Sequence, residues 1–255
     1  MIAVFDSGLG GLTAMKELCS LMPDEDIVYF GDTSRIPYGT RSADTIVRYA
    51  RQDLRFLSQF DIRAALVACG TISSVALDKI KDEYPFPVFG VIDSAAKAAA
   101  EATKNGRVAI LGTPATVRSG AYSRALPENI DRISVACPLF VPLVENGNLE
   151  GAVTDEAVKL YLTKVRDYGA DTVILGCTHY PLLANAIAKF LPGVTLINSG
   201  REAAKAIANA LPPASGGGTR RYFVSDSTEG FSAVGGIFMQ HSIDGEVTQI
   251  DIEKY

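Results

Sequence analysis

Short apolar runs ending in Gly, Asp, Ser or Cys alternate along the chain with Ala-rich amphipathic stretches. This alternation predicts βα units built around mostly parallel sheets. The expected strands are Ile2–Phe5, Ile27–Phe30, Ala64–Ala68, Val88–Gly90, Val108–Leu111, Ile133–Val135, Thr172–Leu175 and Thr195–Ile197, with weaker ones at Tyr222–Val224 and Thr248–Ile252. Helices fill most gaps. Two of them matter for the site: Ser74–Glu83, with Thr71 or Ser73 as its cap, and Pro181–Phe190, with Pro181 in the first turn.

The chain also carries an internal echo. Ile2-Ala-Val-Phe-Asp-Ser-Gly resembles Val108-Ala-Ile-Leu-Gly-Thr-Pro, and Leu66-Val-Ala-Cys-Gly-Thr resembles Ile174-Leu-Gly-Cys-Thr-His. Val4 precedes Cys69, and Ile110 precedes Cys177, by about 65 to 67 residues. That common spacing suggests two similar half-domains, although any two βα repeats could share it by chance. The segment Pro212–Gly218 reads as a flexible surface crossing.

With 255 residues the chain fits one large domain or two small ones. Lys and Arg number 24 against 29 Asp and Glu, with no basic run to track a phosphate backbone, which argues against nucleic acid. The N-terminus lacks a basic stretch followed by a long apolar region, and no apolar window is long enough to span a membrane, so a cytoplasmic protein is expected. Four scattered cysteines without a CxxC pair, and only two histidines, argue against structural zinc and a disulfide framework.

Cys69 and Cys177 each end a buried-type strand before helix-opening residues. Ligand crevices of doubly wound folds lie beyond the carboxyl ends of strands, where helix N-termini carry partial positive charge. Both thiols are therefore expected to have lowered pKa values. Two such groups facing one carbon suit a racemase: one thiolate removes the α-proton while the other thiol protonates the opposite face. Cysteine is otherwise a small buried hydrophobe, the reading that suits Cys19 and Cys137. A cysteine hydrolase has no evident use for the second matched thiol.

Asp6 opens a Gly-rich turn, Asp6-Ser7-Gly8-Leu9-Gly10-Gly11, whose backbone N–H groups could meet an anion. It matches neither GxGxxG nor GxxxxGK[ST], and Lys16 comes too late for a P-loop. Asp6 could equally be a helix cap, and Pro37-Tyr38-Gly39 only a turn. His179, two residues after Cys177, can exchange protons near neutral pH.

Five segments together resemble the glutamate racemases of bacterial cell-wall synthesis, within the aspartate/glutamate racemase superfamily. They are Asp6–Gly11, Phe30–Thr33 with Pro37–Gly39, Gly112–Val117, Cys137–Glu145 and Leu175–Leu183, in family order. The resemblance implies α/β architecture with two pseudo-symmetric flavodoxin-like domains of mostly parallel sheets, residues 1–92 with 212–255 and residues 93–211, and the active site in the cleft between them. It implies an isomerase of the pyridoxal-phosphate-independent kind that converts L- to D-glutamate with no cofactor or metal. Cys69 and Cys177 become the acid/base pair, Asp6 assisting the first, His179 and Glu145 the second. Ser7, Pro37, Tyr38, Gly39, Gly70, Thr71, Thr116 and Thr178 become substrate-binding residues.

Two positions depart from the pattern. The family usually has Asn after its first cysteine, where this chain has Gly70. A lost hydrogen bond to a charged group would cost about 1.5–3 kcal/mol unless Ser73, Ser74 or a water replaces it. Asp93-Ser94 stands where Glu-Pro is common at the crossing between domains, a change expected at the hinge rather than in the chemistry. Gly70 keeps open an aspartate or other amino-acid racemase and a non-catalytic amino-acid-binding protein. The expected partner is a small-molecule substrate, with no nucleic acid or membrane; a homodimer is left open.

Overall fold

The computed structural model describes residues 1–213, 216–243 and 245–255. Its strands are β1 (Ile2–Asp6), β2 (Ile27–Gly31), β3 (Ala64–Val67), β4 (Val88–Phe89), β5 (Arg107–Gly112), β6 (Asp131–Ala136), β7 (Thr172–Leu175), β8 (Thr195–Asn198), β9 (Arg220–Val224) and β10 (Val247–Gln249). The helices are α1 (Leu12–Leu21), α2 (Ala43–Leu57), α3 (Gly70–Val75), α4 (Leu77–Ile80), α5 (Ile92–Ala102), α6 (Pro114–Ser119), α7 (Ala121–Ala125), α8 (Phe140–Glu145), α9 (Ala152–Tyr168), α10 (Ala184–Phe190), α11 (Ser199–Ala210) and α12 (Thr228–Met239).

The strands form two wholly parallel sheets, ordered β10-β9-β2-β1-β3-β4 and β6-β5-β7-β8. Each contains the same order of its own strands: second, first, third, fourth. The sequence echo falls on matching pairs, with Val4 opposite Leu66 and Ile110 opposite Ile174. In such sheets the chain reverses direction of winding between the first and third strands, which opens a crevice at their carboxyl ends. Asp6 and Cys69 stand at that point in one sheet, Gly112 and Cys177 in the other.

β1, β2 and β3 are buried at every position, as parallel strands covered on both faces must be. Ala3 and Phe5 pack with the core beneath α2 and α3. Ile2 and Val4 face the other way, into a core shared with α1, α5, α11 and the second sheet. The apolar interior therefore runs without interruption from one lobe to the other. Arg201 on α11 pairs with Glu17 on α1 at 2.9 Å at its surface. Among the described residues, no helix is long and apolar enough to cross a membrane.

Several local expectations are corrected. The helix after β3 starts at Gly70 with Cys69 at its N-cap position, so neither Thr71 nor Ser73 caps a helix over Ser74–Glu83; the segment is α3, α4 and a 3-10 turn at Lys81–Glu83. Pro181 lies in a 3-10 turn, Tyr180–Leu183, ahead of α10. The last strand ends at Gln249, and Ile252 belongs to a 3-10 turn. Asp93 and Ser94 lie in the first turn of α5, where the Ser94 hydroxyl is buried without a hydrogen-bond partner. Of the expected crossing Pro212–Gly218, Ala214 and Ser215 lie outside the described residues.

The lobes meet tightly where the cysteine-bearing strand ends face each other. A Cβ atom on Gly70 would lie 2.2 Å from the Gly176 carbonyl oxygen and 3.8 Å from Cys177 Cα. Thr13 Oγ1 donates to the Thr178 carbonyl at 2.9 Å, and the Thr71 and Thr113 hydroxyls bond across the seam at 2.9 Å. A cavity beside this seam, lined by Ala68, Gly70, Val91, Cys177, Asn198 and Ser199 among others, holds about 10 Å³, room for about one water.

The Gly70 contact is with backbone, so an added methyl group is relieved only by moving a strand end. Gly70→Ala is expected to part the seam. Iodoacetamide should then alkylate Cys69 and Cys177 at least about fivefold faster than in the parent protein, through easier local opening. Equal alkylation rates in a folded variant would show that Gly70 does not set the closure.

Candidate active site

Cys69 follows β3 and is 5% exposed; Cys177 follows β7 and is 9% exposed. The Cys69 thiol donates to Ser7 Oγ at 3.5 Å. Cys177 Sγ lies 4.0 Å from His179 Nδ1, and His179 Nε2 lies 3.1 Å from Glu145 Oε1. The carboxylate favours a proton on Nε2, which leaves Nδ1 free to accept one from the thiol. The imidazole is fixed edge-to-face on Phe238 of α12, with ring centroids 5.1 Å apart.

Asp6 is 1% exposed and accepts from the Gly8 N–H at 3.0 Å. The Thr178 hydroxyl lies 3.5 Å from Asp6 Oδ1, to which it donates, and 3.3 Å from His179 Nδ1. A polar path thus crosses the seam from Asp6 through Thr178 and His179 to Glu145. Glycine is required along it: a Cβ on Gly10 would stand 2.1 Å from Thr178 Oγ1 and 2.6 Å from the His179 ring.

The expected lowering of the two thiol pKa values is overturned. Burial pushes Cys69 up to about 11, with the Asp6 carboxylate adding to the rise; Ser7 and the N–H of Ile72 oppose it and lose. Cys177 is raised further, again chiefly by burial, then by the negative charge of Cys69, Asp6 and Glu145, against the N–H of His179. Burial raises Asp6 as well, the nearby His179 only partly compensating. A helix end offers a few N–H dipoles, and removal from water costs the thiolate more than they return.

The expected substrate-binding residues fall into two groups. Ser7, Gly70 and Thr178 lie among the cysteines, as described. Thr71 and Thr116 are joined through Thr113, whose hydroxyl lies 2.9 Å from one and 3.0 Å from the other. Gly39 abuts the same residue: a Cβ there would sit 3.1 Å from Thr113 Cβ. Pro37, joined to Ile36 by a cis peptide, and Tyr38 continue this loop. The Tyr38 ring, 2% exposed, turns away from the seam and gives its hydroxyl hydrogen to Asp32.

Ser73 and Ser74 do not replace an Asn side chain at position 70. The Ser73 hydroxyl donates to the Val67 carbonyl at 2.9 Å and the Ser74 hydroxyl to that of Thr71 at 3.1 Å. The Gly176 backbone fills the place of the missing side chain.

Three contributors escaped the sequence reading. Thr113 had a signal, its N-cap spacing to Thr116 inside a quoted motif; its hydroxyl accepts from the Thr116 N–H at 3.2 Å. Thr13 and Phe238 had none, since their contacts depend on how the lobes and α12 dock. The two other cysteines stand apart: Cys137 is buried with its thiol on the Val135 carbonyl, and Cys19 receives the Arg220 Nε–H. Among the described residues, no group of three or more His, Cys, Asp or Glu side chains is placed to hold a metal ion.

The family model of the Asp/Glu/Hydantoin racemases matches residues 7–207. The chain is 43% identical over 263 residues to the glutamate racemase of Geobacter metallireducens, covering 99% of this chain and 97% of that protein. Among solved structures, glutamate racemase isoform RacE1 from Bacillus anthracis superposes with a TM-score of 0.94 at 35% identity, covering 98% of this chain and 97% of that one. The glutamate racemase of Francisella tularensis, solved with D-glutamate, gives a TM-score of 0.91 at 36% identity, covering 100% and 98%. With its two matched sheets and paired strand-end cysteines, the chain belongs to the Asp/Glu/Hydantoin racemase family, and it is an amino-acid racemase, an isomerase.

Proposed function

We propose that this protein interconverts L- and D-glutamate without a cofactor, using Cys69 and Cys177 as opposed acid and base, and that it supplies D-glutamate for peptidoglycan synthesis in the cytoplasm. The observation that carries the reading is the placement of one buried thiol on each of two matched strand ends, with Asp6 near one and a His179–Glu145 pair beside the other. The relatives named above, glutamate racemases at 35–43% identity, support the substrate.

In this reading residues 1–92 with 212–255, and residues 93–211, act as two lobes that part to admit substrate and close over it. Closure brings the α-ammonium group into a buried site that holds acidic groups. Drawing the proton from a thiol pushed up to about 11 costs about 5 kcal/mol at neutral pH. A substrate cation offsets that cost by opposing the charge of the thiolate. One thiolate then takes the α-proton, leaving its bonding electron pair on the α-carbon. The other thiol gives its proton to the opposite face, and its sulfur keeps the electrons of the S–H bond. The reverse reaction exchanges the two roles. Asp6 and Thr178 serve the Cys69 side, and His179, oriented by Glu145, takes and returns the Cys177 proton.

A second reading, a smaller acidic amino acid such as aspartate, is favoured by the Gly70–Gly176 approach, which leaves little room. Circular dichroism with single amino acids and no added cofactor separates the two; turnover of another amino acid but not glutamate would defeat the first. In deuterium oxide, turnover should place deuterium on the α-carbon. Ligand binding without such exchange would favour a non-catalytic binding protein.

Two further outcomes are expected. Cys69→Ser and Cys177→Ser should each lower racemisation by about 10²–10⁴-fold, the usual worth of a positioned acid or base. Each should retain α-hydrogen exchange on one enantiomer, and near-normal racemisation in either would refute the paired role. In ligand-free protein the rate of Cys69 alkylation should climb about tenfold per pH unit, levelling only near about 11, with Cys177 lagging behind it. A plateau near neutral pH would mean that the thiolate is already formed at rest.

A further inference from the structure

The loop that carries Tyr38 and Gly39 lies between the seam and a buried ionic cluster. On the seam side Gly39 abuts Thr113. On the far side Arg35 joins two wholly buried carboxylates, Asp32 through Nε at 2.6 Å and Asp53 through Nη2 at 3.0 Å. Its Nη1 reaches Gln52 Oε1 at 2.6 Å and Glu253 Oε1 at 3.3 Å, and its guanidinium lies 4.1 Å from the centre of the Tyr49 ring. The Tyr38 hydroxyl meets both carboxylates, with Asp53 Oδ2 at 3.5 Å. Asp32 is held in turn by the Ser225 hydroxyl at 2.8 Å, and its N–H donates to the Asp6 carbonyl at 3.1 Å.

Two buried carboxylates share one buried guanidinium, and Glu253 is largely exposed. Leaving both ionised would strand a negative charge away from water. Tyr38 has one hydroxyl hydrogen and gives it to Asp32. The same hydroxyl also points at Asp53 Oδ2 in a longer contact, so it faces two carboxylates at once, an arrangement that suits one of them being neutral. Burial and the neighbouring Asp32 raise the Asp53 pKa well above the usual carboxylate range, in agreement with Asp53 being that one.

We propose that Asp53, on α2 and away from the seam, is a positioning residue: by holding Arg35 and the Tyr38 hydroxyl from behind, it fixes the Tyr38–Gly39 backbone that faces the substrate. The inference rests on the racemase reading, because it takes that backbone as part of the substrate surface.

The test compares Asp53→Asn with Asp53→Leu. The amide keeps an acceptor for Arg35 and a donor for Tyr38, so KM for glutamate should stay within about twofold of the parent. Leucine keeps the branched shape, though with bulkier methyl groups, and removes both bonds, so KM should rise at least about tenfold while kcat changes by less than about threefold, the pattern of lost ground-state positioning. Amide hydrogen exchange over residues 38–40 should quicken in Asp53→Leu alone, with β1 and β7 as protected as before. Tyr38→Phe keeps the ring and cuts the same link. It should raise KM severalfold, which tests the idea even if Asp53→Leu fails to fold. Unchanged KM and unchanged exchange in the folded variants, or an Asn variant as impaired as the Leu variant, would overturn the proposal. A parent protein that does not turn over glutamate would instead defeat the substrate reading, and the exchange comparison would still decide the role of Asp53.

Discussion

Gly70 lies so close to the Gly176 carbonyl that a single methyl group has no room between them, and the character of the site follows from that approach. It brings the carboxyl ends of two parallel sheets together, so that groups from β1, β3, β5 and β7 share one small region. It removes water from both thiols, which accounts for their neutral state at rest. It also turns the hydroxyls of Thr71, Thr113 and Thr116 on one another, while that of Thr178 faces Asp6 and His179.

Burial and electrostatics pull against each other here, and burial prevails. The N–H groups at the start of α3 and beside His179 favour thiolates, as the position of the cysteines in the chain suggested. They act on sulfur atoms that are almost wholly enclosed among acidic side chains, and the enclosure is the larger effect.

Much of this organisation was legible in the residues themselves. The central strands are buried on both faces and therefore read as unbroken apolar runs, and the echo around Val4, Leu66, Ile110 and Ile174 anticipated matched strand pairs. The site cysteines stood out because each follows such a run. What stayed hidden depends on docking. Gly70 and Gly176 are distant in sequence, and no local pattern announces that their backbones touch. The side of a loop that a ring will take is equally silent: Tyr38 reads as a cleft residue, but a buried Asp32–Arg35–Asp53 cluster claims its hydroxyl and leaves only its backbone to the seam. Thiol ionisation was misjudged for the same reason, since the dipole can be read from chain order and the enclosure cannot.

The position of β9 beside β2 has a consequence for biosynthesis. The first sheet is completed by strands that leave the ribosome only after the second lobe has been made. Until then β2 is an open, apolar sheet edge, the kind of surface that pairs with other chains. The nascent chain therefore carries an unfinished first lobe until β9 and β10 have been made, and their arrival is what seals that edge.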